Sequence, residues 1–313
     1  LLVFTCLSSA LIAETTLIRA GYLIDPATGK GHDNQTILVE DGIILAVGKD
    51  LDVPPNAKTF DLSDSWVMPG LMDAHVHLTV GLPEGSDFNE GGAKPISTFY
   101  TMESTAFRAL RGAHNARLLL EAGFTTIKDI GNSGNYATVD IRRAIDKGWF
   151  PGPTILDAGK IIAPLFGSQI YGVSPEQKPL WQYEYIQADT ADEMRKAIRR
   201  NVYYGANTIK LVSERPAYTE EEIRVAVNEA ARAGLRVGVH VIGENATAVI
   251  LGGAHSVEHG GNLTDKQLKL MKKHGTYLSG TEWPSEHAMA MGTAKSTAEA
   301  MTDMFVDRLR RAH

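Results

Sequence analysis

From Val67 to the end of the chain, short apolar runs of strand character alternate with amphipathic stretches of helical period. No other feature restricts the fold as strongly. Parallel strands need a crossover, usually a helix, so this alternation predicts repeated βα units around a parallel sheet. Seven strands are expected, near 66–78, 124–130, 154–162, 206–213, 235–241, 254–259 and 275–281, with helices over 103–122, 136–147, 190–204, 219–233 and 264–274. A last helix is expected from Ser296, where Ser296 and Glu299 match a capping box and Met301, Phe305 and Leu309 form one apolar stripe. It reaches His313 with no Gly or Pro to stop it. The expected architecture is an α/β, TIM-type (β/α)8 barrel whose eighth unit is missing from this chain; a complete seven-stranded or open barrel is the alternative.

Ahead of the barrel domain, 66–313, residues 14–65 carry alternating strands broken by "PATGKG" and Asp-Gly turns, which predicts a small β subdomain of sandwich type. Residues 1–13 belong to the opening run "LLVFTCLSSALIAET", which is too short to span a bilayer and reads as the remnant of a signal peptide that has lost its basic start. That reading implies a secreted or periplasmic protein without stable membrane insertion; a buried first strand, or a lipid anchor on Cys6, the one cysteine, are the alternatives. A net charge of −6 without blocks of like charge argues against nucleic acid and for a small-molecule or dipeptide partner. A homo-oligomer is compatible with this composition.

The stretch "VMPGLMDAHVHLTV" places two histidines one residue apart at the end of the first barrel strand. Side chains alternate across a strand, so His75 and His77 share a face. Functional groups of a βα barrel gather at the carboxyl ends of its strands, which adds Lys210 from strand four, His240 from strand five and His259 from strand six. Strand parity turns Lys210 inward between Ile209 and Leu211, and His240 inward with Gly238. In "AHSVEHGG" the same parity turns His255, Val257 and His259 inward and leaves Glu258 on the outer face or at the rim. An ammonium cannot ligate a metal, and burying it unpaired is costly. Burial favours the neutral amine, which can capture carbon dioxide as a carbamate, an anionic ligand able to bridge two cations. Pairing of Lys210 with an interior acid such as Asp129 is the competing expectation.

"MPGLMDAHVHL", "AGFTTIKDIG", "TIKLV", "GVHVIG" and "SVEHGG" together resemble the amidohydrolase superfamily, in its imidazolonepropionase-like branch with the metal-dependent Xaa-Pro dipeptidases and N-acyl amino acid hydrolases. The resemblance runs from the β subdomain through strand seven. It implies that His75 and His77 bind the more buried of two divalent metals, with zinc the default. Carboxylated Lys210 then bridges the pair, His240 and His259 bind the second ion, and a metal-bridging hydroxide attacks a C–N amide bond. Manganese, cobalt and iron suit the same ligands. The implied substrate is an Xaa-Pro dipeptide or an N-acyl amino acid. A mononuclear cyclic-amide hydrolase or deaminase, and a non-catalytic scaffold, are the rival readings. Two departures touch no expected ligand: Val241 stands where alanine is common and Lys128 where arginine is common. The catalytic aspartate of strand eight has no counterpart before His313, so this chain alone is expected to hydrolyse slowly.

On the substrate side, Arg215 and Tyr218 are candidates for holding a carboxylate, and the long segment 163–189 with Tyr171, Trp181, Tyr183 and Tyr185 is a candidate lid. Asp73 is expected either to orient a histidine or to shape a turn. His32, His114, His255, His274 and His287 are expected to be structural or exposed.

Overall fold

A computed structural model describes residues 14–80, 103–164, 176, 179, 182–214, 216–282, 284–290 and 293–313. The opening run 1–13, Arg215, and Tyr171 and Trp181 of the expected lid lie outside the described residues, as does the side chain of His287. The chain divides into two compact units, Leu1–Gly70 and Leu71–His313.

The first unit is built on strands β1 (Thr15–Asp25), β2 (Lys30–Glu40), β3 (Ile43–Gly48) and β4 (Lys58–Val67), in the sheet order β3-β2-β1-β4. Asp25 closes the first hairpin by accepting from the amide of Ala27 and the hydroxyl of Thr28. Asp41 and Gly42, at φ 49° and 80°, form the second, and positive φ at both turn residues matches the strand twist. β4 returns parallel to β1 and pairs Trp66 and Val67 with Tyr22 and Leu23. These two residues, expected to open the barrel, therefore finish the first unit. The described residues of the unit form a single sheet rather than the two layers of a sandwich, and Ile43, Leu45, Val47, Phe60 and Leu62 are exposed on it.

In the second unit every strand pair is parallel. One sheet runs β5 (Leu71–Val76), β6 (Phe124–Asp129), β7 (Thr154–Asp157) in order. The other contains β8 (Ile161–Ala163), β9 (Tyr185–Gln187), β10 (Ile209–Val212), β11 (Val237–Val241), β12 (Ser256–His259) and β13 (Tyr277–Ser279), ordered β13-β12-β11-β10-β8-β9. The single strand expected over 154–162 is thus two. Gly159 has φ +60° and breaks it, which lets β7 stay with β6 while β8 joins β10. Asp157 keeps the two sheets in touch, its carbonyl accepting from the amides of Asn207 and Thr208. β9, inside the segment read as a lid, is an additional strand.

Eight α-helices are described: α1 (Thr105–Glu121), α2 (Ala137–Asp146), α3 (Ala191–Tyr203), α4 (Glu220–Ala231), α5 (Ala246–Leu251), α6 (Asp265–His274), α7 (Ser285–Ala290) and α8 (Lys295–Ala312). Capping boxes at Thr190/Glu193, Thr219/Glu222 and Thr264/Gln267 set where α3, α4 and α6 begin. The box expected at Ser296 and Glu299 does not form; α8 starts one residue earlier, behind Ala294, so Ser296 is already helical. Ile209, Leu211, Val237, Val239, Val241 and Val257 fill the space between the larger sheet and its helices. At roughly 1.5–3 kcal/mol for each fully buried side chain, this layer fixes which strand faces remain for the interior.

Candidate metal centre

The outward valines leave the alternate positions of β10 and β11 facing inward. Lys210 lies level with Gly238, and Val212 with His240. On the next strand Gly238 pairs with Ser256 and His240 with Glu258. Side by side in a parallel sheet, paired residues share a face, so the inward set on β12 is Ser256 and Glu258, and Val257 packs among the helices. The expected parity of this strand is inverted, and Glu258 is an interior residue, 0% exposed.

His259 nevertheless enters the site. Its φ of +66° breaks the alternation at the last residue of β12, at a cost on the order of 1–3 kcal/mol. The step brings its ring to 4.3 Å from that of His240 and 4.6 Å from that of His75. His75 and His77 are 5.2 Å apart. All four imidazoles expected from the sequence therefore form one contiguous cluster.

Each ring is held from behind. His77 Nδ1 lies 3.0 Å from the carbonyl of Gly131 and His75 Nδ1 2.9 Å from Oε2 of Glu258. Both acceptors lack protons, so each Nδ1 donates and each Nε2 carries the lone pair. His259 Nδ1 is 2.7 Å from the Thr281 hydroxyl, and His240 Nε2 donates to Glu214 over 2.5 Å. The Nε2 atoms of His75, His77 and His259 make no hydrogen bond among the described residues. Burial, followed by the charges of His75 and Lys210, lowers His77 to about 3. Burial also lowers His75, His240 and His259, and the charge of Lys210 contributes in each case. Neutral imidazoles with an outer-shell acceptor on one nitrogen are the form in which histidine binds metal.

Lys210 is 2% exposed, and its amine makes no hydrogen bond or ion pair among the described residues. Burial lowers it to about 7, with Glu258 opposing and Lys128 assisting. Asp129, the interior acid named as a competing partner, is occupied elsewhere. Its carboxyl accepts from the amides of Leu78 and Gly131 and from the hydroxyl of Thr138, tying the loop after β5 to the end of β6. Burial raises it to about 7.

Glu258 was missed by the sequence reading, as was its partner. Lys128 Nζ, from β6, lies 2.8 Å from its Oε1, and Ser256 donates to the same oxygen over 2.5 Å. Burial alone would raise this carboxyl; the hydrogen bond from His75 and the charges of Lys210 and Lys128 outweigh it and hold Glu258 well below the usual range. Gly238 makes room for it, since a Cβ there would stand 2.7 Å from Oε1 of Glu258. Lys128, expected to touch no ligand, thus reaches His75 through one carboxylate. Asp73 serves the turn: it accepts from the backbone amide of His75.

Tyr218 is not at the site surface. Its ring is in the core and its hydroxyl donates to the carbonyl of Ala188 over 2.7 Å, so it has no hydroxyl left for a substrate carboxylate.

Among the described residues no three His, Cys, Asp or Glu side chains stand together in ligating geometry. The rings meet edge to face, at 61–69°. Neutral imidazoles are short of the anion that a pair of divalent cations requires, and the buried, unpartnered amine of Lys210 is the group whose carboxylation would supply it. The residues fit a metal centre in that form.

The sequence pattern described as the amidohydrolase family matches residues 66–311. The ochratoxinase of Aspergillus niger is 29% identical over 294 residues, covering 84% of this chain and 58% of that protein; the chain therefore spans under two thirds of that relative's length. Its crystal structure superposes with a TM-score of 0.80 at 25% identity, over 96% of this chain and 73% of the other. A Xaa-Pro dipeptidase crystallised with methionine in its active site gives 0.79 at 25% identity, over 96% and 76%. These likenesses identify the second unit as a TIM-barrel-like α/β fold, and the chain belongs to the amidohydrolase family.

Proposed function

We propose that this protein is a metal-dependent hydrolase of C–N amide bonds whose substrate is a dipeptide ending in proline or an N-acyl amino acid. One observation carries the reading: imidazoles from β5, the loop after it, β11 and β12 form one contiguous cluster, and the buried Lys210, which makes no hydrogen bond or ion pair among the described residues, acts on all four through its charge. The family is generally metal-dependent, and the Xaa-Pro dipeptidase and ochratoxinase likenesses support amide hydrolysis. His75, His77, His240, His259 and carboxylated Lys210 would hold two divalent cations, zinc by default. Such cations polarise a scissile carbonyl and lower the pKa of water.

The chain's own contributions are orientation and charge. Glu258, Gly131, Glu214 and Thr281 fix the ring orientations, so the donor nitrogens are set before a metal arrives. Glu258 also pairs with Lys128, and its charge opposes the lowering that burial imposes on the Lys210 amine. Among the described residues no helix is long and apolar enough to cross a membrane; export through the opening run 1–13 is part of the proposal.

The test is elemental analysis of the purified protein, followed by hydrolysis assays on Xaa-Pro dipeptides and N-acyl amino acids with the metal restored. Metal near two per chain and turnover of either class supports the reading. Metal near one per chain with deamination or cyclic-amide opening would replace it with the mononuclear alternative.

A further inference from the structure

Strands β12 and β13 leave the sheet by the same backbone step. His259 and Thr281 are both left-handed, at φ +66° and +55°, a region that side chains other than glycine seldom adopt. Gly260 continues the first turn at +56°, packed so closely that a Cβ would stand 2.8 Å from Leu263 and from Leu278. The path of the chain out of β12 is therefore narrow.

One guanidinium, from a helix far away in sequence, fastens both exits. Arg308 of α8 is 1% exposed. Its Nη1 donates to the carbonyl of His259, and its Nη2 donates to the carbonyl of Gly280 and to the carboxylate of Glu282. The Thr281 hydroxyl, on the strand exit that Arg308 grips, meets His259 Nδ1 at 2.7 Å. Backbone and ring of the same histidine are thus held through neighbouring bonds. With an ordinary strand φ, alternation would send the ring to the face opposite Glu258, away from His75 and His240.

We propose that Arg308 is a positioning residue for the metal centre: by clamping the carbonyls of His259 and Gly280 it keeps His259 turned into the site and couples the docking of α8 to metal binding. This rests on the reading of the imidazole cluster as a metal centre. The coupling is reciprocal, so metal must in turn steady α8.

The experiment titrates the full chain with cobalt(II), reads affinity against a chromophoric chelator and records the visible d–d spectrum. Hydrogen exchange over 295–312 is followed with and without the metal. Arg308→Ala is expected to bind 10- to 100-fold more weakly, the range for loss of an outer-shell support, with a spectrum altered by the loss of one imidazole. Arg308→Lys is expected to recover only part of the affinity, since an ammonium cannot match the planar fork. In the wild type, cobalt slows exchange in α8; in Arg308→Ala it does not. Glu282→Gln and Thr281→Val, which keep Arg308 and its bonds to the His259 and Gly280 carbonyls, should each show a smaller loss in the same direction and decide the matter if Arg308→Ala does not fold. Unchanged affinity and spectrum in folded Arg308→Ala, or in both of the milder variants, overturn the clamp while the metal centre stands. A wild type that binds no cobalt removes the metal centre, and the clamp with it.

Discussion

Replacing Glu258 with glutamine tests the interior of the barrel most sharply. The carboxylate is fully buried and accepts from Lys128, Ser256 and His75 at 2.8, 2.5 and 2.9 Å, joining β12 of the larger sheet to β5 and β6 of the smaller one. Removing one partner of a buried ion pair costs about 3–5 kcal/mol, because the other charge is left uncompensated. Two features reduce that figure. The Lys128 side chain retains 18% exposure, and the glutamine oxygen still accepts one hydrogen bond. We therefore expect Glu258→Gln to lose about 2–4 kcal/mol in urea unfolding of the metal-free protein at neutral pH, with the m-value unchanged. Lys128→Met should cost less, since Ser256 and His75 still serve the carboxylate. The double variant buries no unpaired charge and should be more stable than Glu258→Gln alone. If Glu258→Gln costs under about 0.5 kcal/mol, or the two changes simply add, the ion pair is not coupled and Glu258 does not brace the site as argued.

Glu184 gives a pH prediction. Burial raises its carboxyl to about 8, above its unfolded value, so the folded state holds the proton more tightly. Its stabilising effect is complete below the unfolded pKa and is lost as pH rises towards 8. Glu184→Gln should match the wild type near pH 5 and exceed it near pH 8 by up to about 4 kcal/mol, three pH units at about 1.4 kcal/mol each; parallel stability profiles would count against it. Tyr218→Phe should cost about 1–2 kcal/mol through the unsatisfied Ala188 carbonyl and leave KM for any substrate unchanged; a raised KM would return Tyr218 to the substrate site.

Much of the site was legible because strand ends and alternation are local rules. They drew His75, His77, Lys210 and His240 to one rim and buried Lys210 between Ile209 and Leu211. Parity failed on β12, where the left-handed step at His259 decouples its ring from the strand; the Gly-Gly that follows in "SVEHGG" was the available signal. The Lys128–Glu258 pair joins strands distant in sequence, so no spacing rule reveals it. The break at Gly159 was hidden inside an apolar run, and Tyr218 misled because closeness to Lys210 in sequence says nothing about where a buried hydroxyl finds its acceptor. Alternation located the strands of the first unit but could not specify what covers them.

Lys210 is the residue on which the proposed metal centre most depends, and 13C NMR of the metal-loaded protein equilibrated with 13C-bicarbonate addresses it directly. A carbamate resonance, lost in Lys210→Ala together with metal stoichiometry, is the predicted result. Metal bound at full occupancy with no carbamate, or an unmodified amine in a protein that takes up no metal, would contradict it.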